Sequence, residues 1–495
     1  MSVDPSVPIS VQFNNTYAQL PEHFYARANP VRVPTPALIV LNRALLAELN
    51  MQTEADDAVL AEVFSGNRLL PGAEPLAQAY AGHQFGQFVP QLGDGRAVLL
   101  GEVVDQQGLQ RDIQLKGAGR TPFSRGGDGR APIGPVLREY VVSEAMHALN
   151  VPTTRALAAV TTGEALFRDA SVPGAILTRI ARSHVRIGTF QYFAARGDKD
   201  AIQTLVEHSL ARLYPTDWAH YQAASPSNQS KASMVLLAAV AERQAALVAQ
   251  WQALGFVHGV MNTDNMSISG ETIDYGPCAF METYQPNASF SAIDRDGRYA
   301  YDQQARIAQW NLARLAEALL AGEDDAQAVL PHAEDIVGRF AAQHAEQWRL
   351  ALGRKLGLSV VSADDEPLIQ DFLNQLHTSK VDFTQGFSSL STLLNEGAES
   401  GFLTDHWLAQ WHARLAADEN TREQQRSVLQ RHNPRVIPRN HLVERVIRAA
   451  EDDGNFAPFH ALLAAVQRPF EVPDDETWEL PAQPQEQVWR TFCGT

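Results

Sequence analysis

The apolar residues of this chain change their period once, and that change limits the folds open to it. Between about residues 81 and 197 they come in short alternating runs of strand length, and after about residue 198 they recur at helical spacing. One non-helical stretch, Phe256 to Met281, interrupts the helical half. In the first half, Phe88 to Leu92, Arg96 to Val104 and Leu109 to Lys116 are separated by Gly93-Asp94-Gly95 and by Asp105-Gln106-Gln107-Gly108. Asp-Gly between apolar runs is a hairpin signal, so the pattern predicts a three-strand meander. In the last of these strands Ile113 and Leu115 point one way and Asp112, Gln114 and Lys116 the other, which sends the Lys116 ammonium toward a cleft or solvent. A Gly- and Arg-rich loop, 117 to 134, follows, and Pro135 opens a helix to about Asn150, as suits Pro in a first turn. Strands are predicted at Ala156 to Thr162 and Ala175 to Ile180, and helices at Asp200 to Leu213, Ser230 to Leu254 and Tyr301 to Leu320, with further amphipathic runs to about Val466.

A β-rich part followed by a helical part, with an irregular loop segment between long helices, is the element order of a protein-kinase-like fold. The expected class is α+β in two lobes. Residues 1–80 read as an N-terminal extension packing on the lobes, 81–197 as a β-rich N-lobe with the nucleotide-binding strands and helix, and 198–470 as a helical C-lobe. The C-lobe would hold a catalytic loop at 256–281 and extra C-terminal helices, and 471–495 form a C-terminal tail with Cys493.

The 495 residues carry 40 Lys+Arg against 57 Asp+Glu, a formal net charge of -17. Such a field opposes non-specific binding to nucleic acid or anionic lipid, so neither is an expected partner, and an anionic ligand needs a local basic pocket. One is present in the sequence. From Arg111 to Arg138 six basic residues (Arg111, Lys116, Arg120, Arg125, Arg130, Arg138) meet two acids, Asp112 and Asp128, and Thr178 to Gly188 adds Arg179, Arg182 and Arg186. Arginine suits forked contacts to phosphate. Lysine is scarce, five residues in all, which marks out Lys116 in the Gly-rich stretch. No run reaches the ~18 uninterrupted apolar residues of a membrane helix, because Glu242 and Arg243 break Met234 to Trp251. Residues 1–15 hold Asp4 and no Lys or Arg, unlike a secretory or transit leader, and two cysteines fit a reducing compartment; the expected location is cytoplasmic.

The chain has no P-loop, no G-x-G-x-x-G, no G-x-S-x-G and no H-E-x-x-H. Asp294-Arg295-Asp296-Gly297 fails as a calcium loop, since Ala305 stands where a bidentate Glu is required, and reads as a turn. What survives is His258-Gly259-Val260-Met261-Asn262-Thr263-Asp264-Asn265, followed nine residues later by Asp274-Tyr275-Gly276. In kinase-like enzymes a His-x-Asp loop ends in an Asn metal ligand and an Asp-x-Gly turn presents a second ligand. Val260 replaces the loop Asp here, while Asp264, beside the Asn, can accept a hydroxyl proton from another angle. Lys116 would contact phosphate oxygens with a helix Glu holding its ammonium. Glu139 and Glu144 both qualify, five residues apart, and spacing does not choose; the other is expected to be a solvated carboxylate. Cys278, four residues past Asp274, and Cys493, near the C-terminus, are expected to form a pair tying the tail to the catalytic segment.

Four runs carry a resemblance: Gln91 to Val103, DIQLKGAGRTPFSRGGDGRAPIGPVLREY (112–140), TRIARSHVRIGTF (178–190) and HGVMNTDNMSISGETIDYGPCAF (258–280). They resemble the SelO family of protein adenylyltransferases, over essentially the whole chain and least in its helical C-terminal third. The resemblance implies a kinase-like fold with ATP reversed, so that the α-phosphorus meets the acceptor and AMP passes to Ser, Thr or Tyr hydroxyls of protein substrates with release of pyrophosphate. It implies an ion pair of Lys116 with Glu139, and nucleotide contacts from Gly93, Gly95, Arg96, Lys116, Asp128, Gly129, Arg179, Arg186 and Asp274. By the same resemblance Asp264 is the proton acceptor, and Asn265 and Asp274 hold magnesium or manganese. Cys493 stands where some members carry selenocysteine, with Cys278 its redox partner, which adds thiol redox partners to ATP and protein substrates. The rival readings are a small-molecule kinase moving the γ-phosphoryl group and a non-catalytic nucleotide-binding scaffold.

Overall fold

A strand buried on both faces has to satisfy two environments, and the strand ending in Lys116 does so by alternation. In the computed structural model, which describes residues 9–168, 170–224, 231–395 and 398–492, it is a central member of one antiparallel sheet. The sheet is built from β1 (Tyr25–Arg27), β2 (Ala37–Leu41), β3 (Leu76–Gln78), β4 (Ala97–Val104), β5 (Gln110–Lys116), β6 (Ala131–Pro132), β7 (Arg155–Phe167) and β8 (Ser171–Ala181). Their order is β1-β3-β4-β5-β8-β7-β2, with β6 paired to β8. Ile113 and Leu115 enter a core with Val98, Leu100, Ile176 and Ile180. On the other face Asp112, Gln114 and Lys116 are buried as well.

The helical part covers that polar face. After α1 (Ile133–Ala148) come α2 (Ile187–Ala194), α3 (Lys199–Leu213), α4 (Ala232–Ala253), α5 (Gln304–Leu320) and α6 (Ala326–Lys355), and further on α7 (Asn440–Asp453) and α8 (Ala457–Val466). The architecture is thus mixed α/β, a sheet with many helices. α4 packs against α5 and α6 and contributes Leu236, Leu237, Val240, Leu247 and Val248 to the largest core. It is the one helix among the described residues long and apolar enough to cross a membrane by length and composition, and most of that apolar window is buried inside the protein. α1 lies between the sheet and the pair α7 and α8, where Tyr140 meets Phe459 edge-on at 5.6 Å.

Several local expectations change. The predicted three-strand meander is a two-strand one. Gln87–Val89 pairs with Gly82–Gln84 in a separate hairpin, and β3 takes the place beside β4. The reason is Asp94, which is no exposed turn tip: its buried carboxylate accepts the Gln78 backbone N–H at 3.1 Å and Gln114 Nε2 at 3.3 Å. The first 80 residues supply β1, β2 and β3 to the main sheet. β7 and β8 extend well beyond the predicted strands, and Tyr301–Gln303 forms a 3₁₀ turn ahead of α5. Asp294 does form a turn, capping the N–H groups of Arg298 and Tyr299 at 2.9 and 2.8 Å.

A buried charge cluster fastens α3 to the sheet. Arg212 donates to Asp112 on β5 and lies 3.0 Å from Glu102 on β4, while Asp112 also accepts the His184 backbone N–H at 2.7 Å. Removing one member of a buried ionic group strands the others without compensation. Arg212→Met is therefore expected to lower unfolding free energy by about 3–5 kcal/mol, read as a shifted urea midpoint.

Candidate active site

Where β5, β8 and α1 converge, five ionised side chains share a small buried volume. Lys116 Nζ lies 2.5 Å from Glu139 Oε2 and 3.5 Å from Asp274 Oδ1. Arg179, on β8 opposite Gln114 of β5, reaches Glu139 Oε1 at 2.6 Å through Nε and Asp274 Oδ1 at 2.5 Å through Nη2. Arg186, just ahead of α2, donates from Nη1 to Asp274 Oδ2 at 2.9 Å and to the Asp264 carbonyl at 2.7 Å, with its guanidinium 4.6 Å from the Tyr80 ring centre. Burial raises the cost of the Asp274 charge, yet Arg179, Arg186 and Lys116 together hold its carboxyl well below the usual range. Glu139 is also held low, by Arg179 and Lys116 against the push of burial. Lys116 is shifted down by burial and then by the Arg179 charge. Asp274 sits at φ 61°, a left-handed conformation that Asp tolerates better than most side chains.

The loop of 258–265 is pinned from several sides. His258 is buried, with Nε2 2.8 Å from the Ile273 carbonyl. Asn265 donates from Nδ2 to the Val260 carbonyl at 3.1 Å. The hairpin of 82–89 clamps the loop from above. The His83 N–H donates to Thr263 Oγ1 at 2.7 Å, the Phe85 N–H to Asn262 Oδ1 at 3.0 Å, and Gln84 Nε2 to Asp264 Oδ2 at 3.2 Å. Asp264 Oδ1 is buried without a hydrogen-bond partner, and burial pushes this carboxyl up to about 6. A Cβ on Gly82 would stand 2.5 Å from that same Oδ1, so the absence of a side chain there makes room for the carboxylate.

Nearly all the expected site residues are brought together. A cleft of about 310 Å³ is lined by Gly95, Arg96, Lys116, Arg179, Arg186, Asp264, Asn265 and Asp274, with Glu139 behind Lys116 and Arg179. A second cavity of about 400 Å³ shares Tyr80, Gly95 and Arg96 with it and adds Gly93, Asp128 and Gly129. There Asp128 is gripped by a forked Arg168 at 2.9 and 3.0 Å. Of the basic cluster from Arg111 to Arg138, Lys116 lines the cleft and Arg125 and Arg130 line the second cavity. Arg138 pairs with Glu444, Arg130 with Glu164 at 2.8 Å and Arg111 with Asp105 at 2.8 Å, while Arg120 is exposed. The expectation of a solvated second glutamate also fails. Glu144 is buried and takes both arms of Arg155 at 2.8 Å plus the Ala156 N–H at 3.0 Å, closing α1 against β7. Cys278 is buried; Cys493 lies outside the described residues, though Thr491, two positions before it, donates to the Pro277 carbonyl at 2.7 Å. Sequence reasoning missed Gln84, Gly82 and Tyr80. Nothing local marks them, because Gln84 is 180 residues from its partner Asp264.

Over 497 residues the chain is 51% identical to the protein nucleotidyltransferase YdiU of Bradyrhizobium sp. (strain ORS 278), covering 98% of this chain and 99% of that one. It is 50% identical to the proteins of the same name from Rhizobium meliloti (strain 1021), over 98% and 99% of the two chains, and Agrobacterium fabrum (strain C58 / ATCC 33970), over 98% and 100%. The chain is an enzyme of the nucleotidyltransferase class. A family model described as protein adenylyltransferase SelO matches residues 8–467, and the chain belongs to that family.

The clamp on Asp264 is open to test. Gln84→Met keeps the volume and removes the donor, while Gly82→Ala drives a methyl toward Oδ1. Both are expected to cut turnover at saturating nucleotide, by about 100-fold for a carboxylate displaced by ~1 Å, with nucleotide Kd unchanged. Steady-state kinetics beside calorimetric nucleotide titration reads both quantities.

Proposed function

We propose that this enzyme, on a protein-kinase-like two-lobed fold, transfers AMP from ATP to Ser, Thr or Tyr hydroxyls of protein substrates and releases pyrophosphate. The observation that carries the reading is one cleft in which Lys116, Arg179 and Arg186 converge on Asp274 while the unpartnered carboxylate oxygen of Asp264 lies alongside. The acceptor oxygen bonds to the α-phosphorus, the bond from that phosphorus to the bridging oxygen breaks, and pyrophosphate departs with the bond electrons. The hydroxyl proton passes to Asp264, whose burial makes it a better base than a solvated carboxylate. Lys116 and the arginines stabilise charge on the phosphates and on the leaving pyrophosphate. Gly93, Gly95, Arg96, Asp128 and Gly129 line the adjoining cavity, which gives the rest of the nucleotide a place next to the cationic cluster.

The side-chain oxygens of Asn265 and Asp274 line this cleft and are of the type that would hold a hard divalent cation, magnesium or manganese, with Asp274 sharing its oxygens between the ion and Lys116, Arg179 and Arg186. When bound, such an ion neutralises phosphate charge. Val260, buried where a small-molecule kinase has its Asp, weighs against γ-phosphoryl transfer.

A regulatory role for Cys278 and Cys493 belongs to the same proposal. The tail runs beside the Asp274 turn: the Thr491 N–H donates to the Phe290 carbonyl at 2.8 Å and its hydroxyl to Pro277, next to Cys278. A disulfide between the two cysteines would tie the tail to the turn that carries Asp274. A cytoplasmic setting fits such a reversible bond.

Parallel incubations with α-labelled and γ-labelled ATP separate the readings. Label on protein from the α position alone is expected; γ label on a small molecule would mean a kinase, and no transfer a scaffold. Asp264→Ala is expected to lose about 10²–10⁴-fold in transfer. For the cysteines, oxidant and reductant are expected to change the activity of the parent and leave Cys493→Ala indifferent; equal responses of the two proteins would exclude the pairing.

A further inference from the structure

Strand alternation sends Arg179 into the catalytic cleft and Ile180 to the opposite side of β8, and Arg182, one residue past the end of that strand, lies on Ile180's side. There they line a cavity of about 480 Å³ between β5, the end of α1, α4 and the turn Ser269–Glu271, and it shares no lining residue with the cleft or its neighbour. That volume lies within the ~300–1,000 Å³ of small-molecule sites. Two of its arginines have backbone carbonyls for partners. Arg182 Nη2 and Arg243 Nη2 both donate to the same acceptor, the Leu213 carbonyl at the end of α3, each at 2.9 Å, and Arg243 Nη1 donates to the Ser269 carbonyl at 3.1 Å with its guanidinium 3.9 Å from the Tyr214 ring centre. Neither guanidinium has a carboxylate within 4.0 Å among the described residues. Burial and the Arg243 charge lower the Arg182 pKa, as repulsion between two cations requires.

The acids on the cavity wall are engaged elsewhere. Glu271 Oε2 accepts the Arg182 backbone N–H and the Ser269 hydroxyl, both at 2.9 Å, and Oε1 lies 3.9 Å from Arg111. Asp105 accepts the N–H groups of Gln107 and Leu109 and the Arg111 Nε, each within 2.9 Å. Arg155 is taken by Glu144 and lies 3.7 Å from Glu48, the third acid on the wall. Gln250 also lines the cavity, and its buried Oε1 has no hydrogen-bond partner.

We propose that this rear cavity is a second anion site that binds a small hydroxylated phosphomonoester, its phosphate held by Arg182 and Arg243 and a hydroxyl donated to Gln250. Two guanidiniums without carboxylate partners supply the forked donors a phosphate dianion takes, and an orphan acceptor calls for a donor on the ligand. The site is independent of the proposed adenylyl transfer. Its placement still links it to the catalytic turn, since the Thr153 hydroxyl on its wall hydrogen-bonds the hydroxyl of Tyr275, next to Asp274.

The test is calorimetric titration of the full chain with glycerol 3-phosphate and, separately, inorganic phosphate. One saturable site is expected, tighter for the ester than for inorganic phosphate, weakening with added salt and retained in Lys116→Met, which removes a cation from the catalytic cleft and none from the wall of the rear cavity. Arg182→Met is expected to weaken it at least tenfold. Because Arg182 also supports the Leu213 carbonyl, Ala246→Glu provides a second variant that adds a carboxylate to the wall and removes none of these hydrogen bonds; it is expected to abolish binding. No saturable binding, binding that survives Ala246→Glu, or binding lost in Lys116→Met would each overturn the proposal.

Discussion

The Asp274 carboxylate holds the catalytic architecture together. It comes from a turn in the helical part, and its partners come from β5, β8 and the approach to α2. Charges buried this deeply persist only when their desolvation is offset by close partners. With Glu139 the cluster sets two carboxylates against three cations, and Asp94, Arg96 and Asp264 line the same cleft of a chain whose overall charge is -17. In the proposed function these cations meet the phosphates of the nucleotide. The cluster thus serves the fold and the ligand site at once: the contacts that fasten the sheet to the Asp274 turn also aim the cations.

Asp264 has the opposite environment. It lies on the same loop as Asn265, yet its side chain receives one neutral donor, Gln84, and has an oxygen without a partner. One carboxylate is stabilised as an anion by neighbouring cations and the other is made more basic by burial. In the proposed transfer these two differently held carboxylates take different roles, one beside the phosphates and one at the acceptor proton.

Much of this was legible in the chain. Period-two alternation put Lys116 on the polar side of β5, and the Gly-flanked segments 258–265 and 274–276 marked the irregular loop between long helices. Charge counting was less reliable. Of the basic cluster between Arg111 and Arg138, Lys116 reaches the cleft and Arg125 and Arg130 line the adjoining cavity, while Arg138, Arg130 and Arg111 are paired with Glu444, Glu164 and Asp105. Linear clustering cannot register that pairing, since the partner of Arg138 lies 306 residues away. The predicted third meander strand failed for a related reason: Asp94 looks like a turn residue until its buried partners on β3 and β5 are seen.

Sequence by itself determined the strand-then-helix order, the face on which Lys116 lies and the loop that carries Asp264, Asn265 and Asp274, because these follow from local periodicity and turn chemistry. Spacing left Glu139 and Glu144 equivalent. Tertiary structure gave Glu139 to Lys116 and Arg179 and gave Glu144 to Arg155, and it brought Gln84 and Gly82 onto Asp264. The physical reason is that a buried charge takes its character from partners within hydrogen-bonding distance, and here those partners come from separate strands, helices and loops that only the packed fold brings into contact.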